Sequence, residues 1–375
     1  MADDEELRKE QKPSKISPDR AAEIAHSLFG LNVERESVRE LDSYDDRNFY
    51  VRGTLHGGAE QEEQRPRAFT LKIHNGVESA DRGILEAQNG IMAHLHGKGF
   101  RVPHPNRCSD GSSLMAFTEL PAKSDPARTC KHAVRLLSWV EGKILHDKGV
   151  TEELLASAGS YLGRLRHALE DFDHASAHRV HLWDIQQIPN IRPFIPLIDN
   201  EDVRHVATEV VDAYEAKVEP VKQSLPHGIL MADFNDSNMI VKENDDGSVA
   251  VDGVIDFGDI VYSPRVNDIA IAAAYSMIEP PSGLGVVDTA AKIIGGYCST
   301  NRLRADEIAL LRILVACRLT TSVTLGALSI SKDPENEYLK RHAEPGRQAL
   351  LKFWRSDAEA VSKAFLDAVA DKEAS

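Results

Sequence analysis

Apolar positions along the chain change period near residue 150, and the change separates two kinds of structure. Behind Ser17-Pro18, the residues Ala22, Ile24, Ala25, Leu28 and Phe29 recur at helical spacing, and Gly30 closes the run. From Val33 to Ile73 the pattern is that of strands. VRELDSYDDRNFYVRGTL has short alternating runs around a polar turn, HGGAEQEEQRPR reads as a hairpin tip, and AFTLKIHN supplies a strand ending at Lys72. A helix is expected from Glu78 to Lys98 with Leu85, Ile91, Met92 and Leu95 on its apolar face, and SSLMAFTEL and HAVRLLSWVEG fit two more strands.

From Thr151 onward the period is mainly helical, with TEELLASAGSYLGRLRHALEDF and DVRHVATEVVDAYEAKVEPVKQSL as long amphipathic runs. Between Gly228 and Ile260 lies a strand-rich island: GILMADFNDSNMIV, an NDDG turn, then VAVDGVIDFGDI. Strands and helices do not alternate as they would in a doubly wound sheet. The pattern predicts an α+β, bilobal chain. Residues 1–17 form a disordered tail, 18–137 a β-rich N-lobe with a five-stranded sheet and one main helix, and 138–375 a mainly α-helical C-lobe.

Composition restricts function more than fold. Of 375 residues 42% are hydrophobic and 27% charged, enough to bury a core. A net charge of −15 argues against broad nucleic-acid binding, while a local cationic pocket would still admit a small anion. Cys108, Cys130, Cys298 and Cys317 are scattered, without a CxxC pair or zinc-type spacing, and read as free thiols of a reducing compartment. No stretch has the apolar length of a membrane span, and MADDEELRKEQKPSK resembles neither a secretory signal nor a transit peptide. The expectation is a cytoplasmic protein that binds neither nucleic acid nor membrane; the sequence carries no signal of oligomeric state.

The island holds the chemistry. In DFNDSN, Asp233 and Asn238 stand five positions apart after an apolar strand, and Asp256-Phe257-Gly258 follows eighteen residues past Asn238. Phosphoryl transfer needs a carboxylate to orient and deprotonate an attacking hydroxyl, and oxygen ligands to hold Mg2+ against the phosphates. Asp233 suits the first task; Asn238 and Asp256 suit the second. Upstream, Lys72 ends a strand and Glu86 lies in the next helix, the arrangement with which kinase-like folds hold donor phosphates. Alone, Lys72 would read as a snorkelling edge lysine and Glu86 as a solvated helix face.

These motifs resemble the aminoglycoside phosphotransferase and choline kinase superfamily. More narrowly, LDSYDDRNFYV, TLKIHN, LEAQNGIMAHL, VRLLSWVEG and DFNDSN are similar to the hydroxylysine kinases, from about residue 18 to about residue 356. The resemblance implies a protein-kinase-like fold and transfer of phosphate to the hydroxyl of free 5-hydroxy-L-lysine, with GTP as favoured donor and ATP still open. It assigns Asp233 as catalytic base, Asn238 and Asp256 as metal ligands, Lys72 as phosphate-binding lysine and Glu86 as its ion-pair partner. Ser43 to Asn48 take the phosphate-loop position, contacting phosphate through backbone N–H groups, and Leu137 to Val140, with Ser138, the hinge facing the purine. One departure is Met231-Ala232, where the superfamily has His-Gly before the catalytic Asp; it puts loop rigidity in question. Asp268 matches a buried aspartate that braces the catalytic loop, and equally fits a helix N-cap.

For a substrate with two ammonium groups and a carboxylate, Asp236, Asp259 and Arg318 are candidate contacts, each fitting a solvated charge or an internal ion pair equally; Tyr44, Asp45 and Asp46 are further candidates. Homoserine, choline or aminoglycoside kinases and a nucleotide-binding pseudokinase are the alternatives. A protein kinase is disfavoured, because a helix follows the DFG element within about ten residues and leaves no activation loop.

Overall fold

Phe69, Leu71 and Ile73 are buried on one side of the strand Arg67–Ile73, and Lys72 points to the other. The computed structural model describes residues 7, 8, 10–55, 65–122, 127–244, 247–332 and 343–373. The expected hairpin tip at 56–64, the centre of the NDDG turn at 245–246 and residues 333–342 lie outside them. The chain divides into two units: Met1–Gly97 with Val102–Val140, and Lys98–Arg101 with Glu141–Ser375. The fold is α+β, with the large sheet in the first unit and most helices in the second.

In the first unit, helix α1 (Pro18–Phe29) is capped by the Ser17 hydroxyl and closed by Gly30, whose φ of 64° is the left-handed conformation glycine tolerates. Strands β1 (Leu31–Val33), β2 (Arg39–Leu41), β3 (Arg47–Leu55), β4 (Arg67–Ile73), β5 (Ala116–Pro121) and β6 (Thr129–Ser138) pair antiparallel in the order β1-β3-β4-β6-β5, with β2 also on β3. The sheet thus has six strands, not five. The additional one, β2, is short and mostly exposed, so it shows no alternation to read. Ile24 and Phe29 of α1 pack with Phe49, Val51, Phe69, Leu71 and Leu136, each worth about 1.5–3 kcal/mol on burial.

The expected single helix after β4 breaks into α2 (Gly76–Ala80) and α3 (Arg82–Gly97). Asp81 leaves helical backbone angles, and its carboxylate accepts the Ile84 N–H at 3.2 Å. The tail read as disordered is also corrected over its described part. Gly76 N–H donates to Gln11 O at 3.0 Å and Arg47 Nε to Pro13 O at 3.1 Å, so its polar groups bond the sheet rather than solvent.

The second unit packs α4 (Glu152–Ala168), α5 (Glu201–Lys217), α6 (Val266–Ser276), α7 (Val286–Cys298), α8 (Ala305–Lys332), α9 (Ala343–Arg355) and α10 (Ala358–Glu373) around small sheets. Strands β7 (Lys143–Ile144), β9 (Met239–Glu243) and β10 (Val249–Val254) form one, and β8 (His227–Leu230) and β11 (Val261–Pro264) the other. Helices α4 and α7 approach closely at Gly159, where a Cβ would lie 2.0 Å from the Ile293 carbonyl oxygen. Helix α8 has the length and apolarity of a membrane span, contrary to the sequence reading, but 72% of its apolar window is buried inside the protein, as in a core helix.

Candidate active site

Residues 231–238 connect β8 to β9 and residues 255–260 connect β10 to β11, so both motif segments pass between the two small sheets of this unit. The Ile255 N–H donates to Asn238 O at 2.9 Å, which ties the residue before Asp256 to the first loop. Ala232 and Asp256 both adopt left-handed backbone, φ 63° and 61°, a strained state that surrounding contacts must maintain. One such contact is Asp268, fully buried, whose Oδ1 accepts the Ala232 N–H at 3.0 Å and whose Oδ2 lies 3.8 Å from Arg166 Nη1. Burial pushes the Asp268 carboxyl up to about 6, against the pull of Arg166 and of the Ala232 and Met231 amides. Asp268 sits inside α6, after an Arg265 cap position, so of its two readings the bracing one holds. The Met231 side chain is fully buried.

Asp233 is held on both oxygens. Oδ2 accepts from Asn235 Nδ2 at 3.0 Å and from Asn238 Nδ2 at 2.8 Å, and Oδ1 accepts from Arg318 Nη2 at 2.9 Å. With about two acceptor positions per carboxylate oxygen, Oδ2 is saturated and Oδ1 retains room for one further donor. Burial, then the Asp259 carboxylate, push the Asp233 carboxyl up to about 7 while Arg318 opposes them. Burial would also raise Asp259, but the His181 ring at 3.0 Å, with Arg318 and Arg179, holds that carboxyl down to about 2.

The donor set suits a hard divalent ion. Asn238 spends its N–H groups on Asp233 O and Oδ2, which leaves its amide oxygen as ligand. The exposed Asp256 bonds the Gly258 N–H at 3.0 Å through Oδ1. Two oxygen donors, one anionic, match Mg2+ better than a thiophilic metal.

The three substrate candidates are engaged within the protein. Asp236 lies 3.0 Å from His146 Nδ1, and Asp259 pairs with His181. Arg318 is corrected outright as a substrate-facing cation. It is 1% exposed, donates to Tyr275 Oη (3.1 Å) and Trp183 O (2.6 Å), and stands about 5 Å from both ring centroids, so its charge serves Asp233.

In the first unit, strand register sets Lys72 opposite Asn48 on β3 and Arg135 on β6. Lys72 Nζ lies 3.1 Å from Asp46 Oδ2, and its charge helps hold the buried Glu78 carboxyl well below the usual range, against burial and alongside His74 and Arg8. The expected partner Glu86 is corrected: it lies on the exposed face of α3, whose other faces bury Ile84, Leu85, Gln88 and Asn89. Glu78 and Asp46 went unread as its replacements, although His74 and Glu78 at i,i+4 carry the spacing of a helical pair.

Arg135 Nε donates to His74 Nε2 at 2.9 Å, leaving the His74 proton on Nδ1 to bond Glu78 Oε2 at 3.0 Å. The donor atoms of Asp46, His74 and Glu78 fall within 4.8 Å of one another, as around a metal. Lys72 and Arg8 already meet those carboxylates and both His74 nitrogens are engaged, so this is an internal charge network. Ser43 lies partly buried in the loop before β3, and the Asn48 amide oxygen is buried without a hydrogen-bond partner among the described residues. At the expected hinge, Ser138 Oγ accepts the His104 N–H at 2.8 Å and Val140 is buried.

Comparison with known proteins agrees with this geometry. Relatives along nearly the whole chain are hydroxylysine kinases, among them those of Danio rerio (27% identical over 360 residues, 95% of this chain and 96% of that protein) and Xenopus laevis (28% over 364 residues, 94% and 93%). Among solved structures, an amicoumacin kinase in complex with AMP-PNP and Ca2+ superposes with a TM-score of 0.65 at 16% identity, covering 96% of this chain and 100% of that one. A microcompartment-associated aminopropanol kinase gives 0.63 at 16% identity, covering 95% and 99%; both likenesses bear on the fold. The model of the phosphotransferase enzyme family matches residues 37–320, from just before β2 to just beyond Arg318. With well over half of its length so matched, the chain belongs to the phosphotransferase enzyme family and is a small-molecule kinase whose acceptor is an alcohol.

Proposed function

We propose that this protein transfers the γ-phosphoryl group of GTP to the side-chain hydroxyl of free 5-hydroxy-L-lysine. The likeness to hydroxylysine kinases supports the acceptor, and GTP as donor rests on the resemblance of the sequence motifs. The observation that carries the chemistry is Asp233, fixed by Arg318, Asn235 and Asn238 with one acceptor position left on Oδ1. The acceptor hydroxyl donates there, its oxygen bonds to the γ-phosphorus as the bond to the β-phosphate oxygen breaks, and the proton passes to Asp233 while the nucleoside diphosphate leaves. Asn238 and Asp256 hold Mg2+, which neutralises charge on the phosphates. Lys72, oriented by Asp46, meets donor phosphate charge, and backbone N–H groups of residues 43–48 supply the remaining contacts. The four cysteines are free thiols, which fits the reducing cytoplasm.

The test is nucleotide turnover with Mg2+, offering 5-hydroxy-L-lysine, homoserine, choline and lysine, each with GTP and with ATP. Turnover with 5-hydroxy-L-lysine but not lysine is expected, with GTP the better donor. Asp233→Asn should lower kcat by about 10²–10⁴-fold while nucleotide still binds. Near-normal turnover in that variant removes Asp233 as the base, and turnover of homoserine or choline alone replaces the acceptor.

A further inference from the structure

Residues 7, 8 and 10–13 lie along the loop that precedes β3, and nothing in the reaction above uses them. Arg8 Nη1 donates to Asp45 Oδ2 at 2.7 Å and its Nη2 lies 3.5 Å from Glu78 Oε1. Lys12 Nζ donates to the Tyr44 carbonyl at 2.7 Å. On the other side Asn75 Nδ2 bonds the Arg8 carbonyl and reaches the Asp45 carbonyl at 3.4 Å, while the Gly76 N–H holds Gln11 O at 3.0 Å. Gly76 admits this contact, because a Cβ there would stand 2.5 Å from Gln11 Oε1.

Two consequences follow for the loop. In a planar trans peptide the carbonyl and the following N–H point in opposite directions. With the Tyr44 carbonyl turned to Lys12 and the Asp45 carbonyl to Asn75, the N–H groups of Asp45 and Asp46 are each turned away from those side chains. The loop also carries two adjacent carboxylates where a nucleotide would bring further negative charge. Asp46 is matched by Lys72, and Asp45 by Arg8 from the N-terminal segment. Burial and the Asp46 charge push the Asp45 carboxyl up to about 7, with Arg8 opposing them.

We propose that the segment carrying Arg8 and Lys12 is a strap that positions the phosphate loop: it neutralises Asp45 and turns the Tyr44 carbonyl aside, so that the loop receives a nucleoside triphosphate. Arg8 and Lys12 are positioning residues, acting through Asp45 and Tyr44, and the inference rests on reading residues 43–48 as the phosphate loop.

The experiment measures affinity for Mg-GTP and Mg-ATP by calorimetry on the full chain, together with KM for nucleotide and for acceptor. Arg8→Ala and Lys12→Ala are each expected to weaken nucleotide binding about tenfold, close to 1.4 kcal/mol, and to leave acceptor KM unchanged. Arg8→Lys, which keeps the charge, should stay close to the unaltered protein. Arg8→Ala combined with Asp45→Asn should recover most of the lost affinity, because the stranded carboxylate is gone; a role confined to folding would not produce that recovery. Unchanged nucleotide affinity in folded Arg8→Ala and Lys12→Ala overturns the strap, as does a double variant no better than Arg8→Ala. A lack of Mg-nucleotide binding by the unaltered protein overturns the strap and the phosphotransfer reading together, which separates the two failures.

Discussion

Arg318 Nη2 donates to Asp233 Oδ1 at 2.9 Å, across 85 positions of sequence, from between the rings of Trp183 and Tyr275. The guanidinium occupies one of the two acceptor positions of that oxygen and fixes the carboxylate plane, so the other position is aimed by the protein and not by the substrate.

Arg318→Met should therefore damage both turnover and stability. Asp233 is partly exposed and keeps its two asparagine donors, so losing the guanidinium should cost about 1–3 kcal/mol. Arg318→Lys keeps the charge but loses the planar fork, and should hold more of the stability than of kcat. Parallel measurement of kcat and denaturant unfolding checks this; a lysine variant with full kcat would mean that charge alone suffices.

The raised Asp233 carboxyl gives a signed pH dependence. Its pKa is about 7 in the folded, metal-free protein, above the unperturbed value of about 3.9 for aspartate. Between those values the folded state binds the extra proton, so this group's contribution to stability falls as pH rises through the window. Asp233→Asn should remove that slope. Urea unfolding of both proteins at pH 5 and pH 8 tests it, and equal slopes would place the titration elsewhere. If Asp233 is the base, as proposed, kcat/KM should rise with pH through about 7, and a flat profile would count against it.

Glu86 and Glu78 should separate cleanly. Glu86→Ala, on an exposed helix face, is expected to change stability by no more than about 0.5 kcal/mol and to leave nucleotide KM unchanged. Glu78→Ala removes the carboxylate that takes the His74 proton and faces Arg8, and should lower stability by about 3 kcal/mol. Thermal melts with nucleotide KM decide it; a large nucleotide defect in Glu86→Ala would restore that residue as the lysine's partner.

Gly159→Ala probes the contact of α4 with α7. A methyl group 2.0 Å from the Ile293 carbonyl oxygen forces the helices apart, for a loss of about 1–3 kcal/mol. Unchanged unfolding would show that the pair can separate freely.

The parts legible in the sequence are those whose partners lie close along it. Asp233, Asn238 and Asp256 sit on the two turns that join β8 to β9 and β10 to β11, so their spacing along the sequence was enough to single them out. The long helical periods and the β island read for the same reason. Lys72 was legible as a strand residue, but its partner was not. Strand register brings the end of the preceding loop alongside β4, so the matching carboxylate is Asp46 rather than Glu86 of the following helix. The split at Asp81 hid because the apolar spacing continues across it while a side-chain bond redirects the backbone. Arg8 and Arg318 were unreadable in these roles, since long-range pairs leave no local period and a polar tail looks alike whether it bonds water or protein.

Helix α8 bears Arg318 along its 28 residues and supplies Leu311, Leu314, Val315 and Leu319 to the interior of its unit. A helix of the unit's interior thereby also carries the guanidinium that sets Asp233 Oδ1. A substitution that shifts its seating by a few tenths of an ångström can spare the fold and still misdirect Asp233. Inherited variation on this helix would then produce cells that contain the protein in normal amount and accumulate its unphosphorylated acceptor, a defect that an abundance measurement would miss and a metabolite measurement would find.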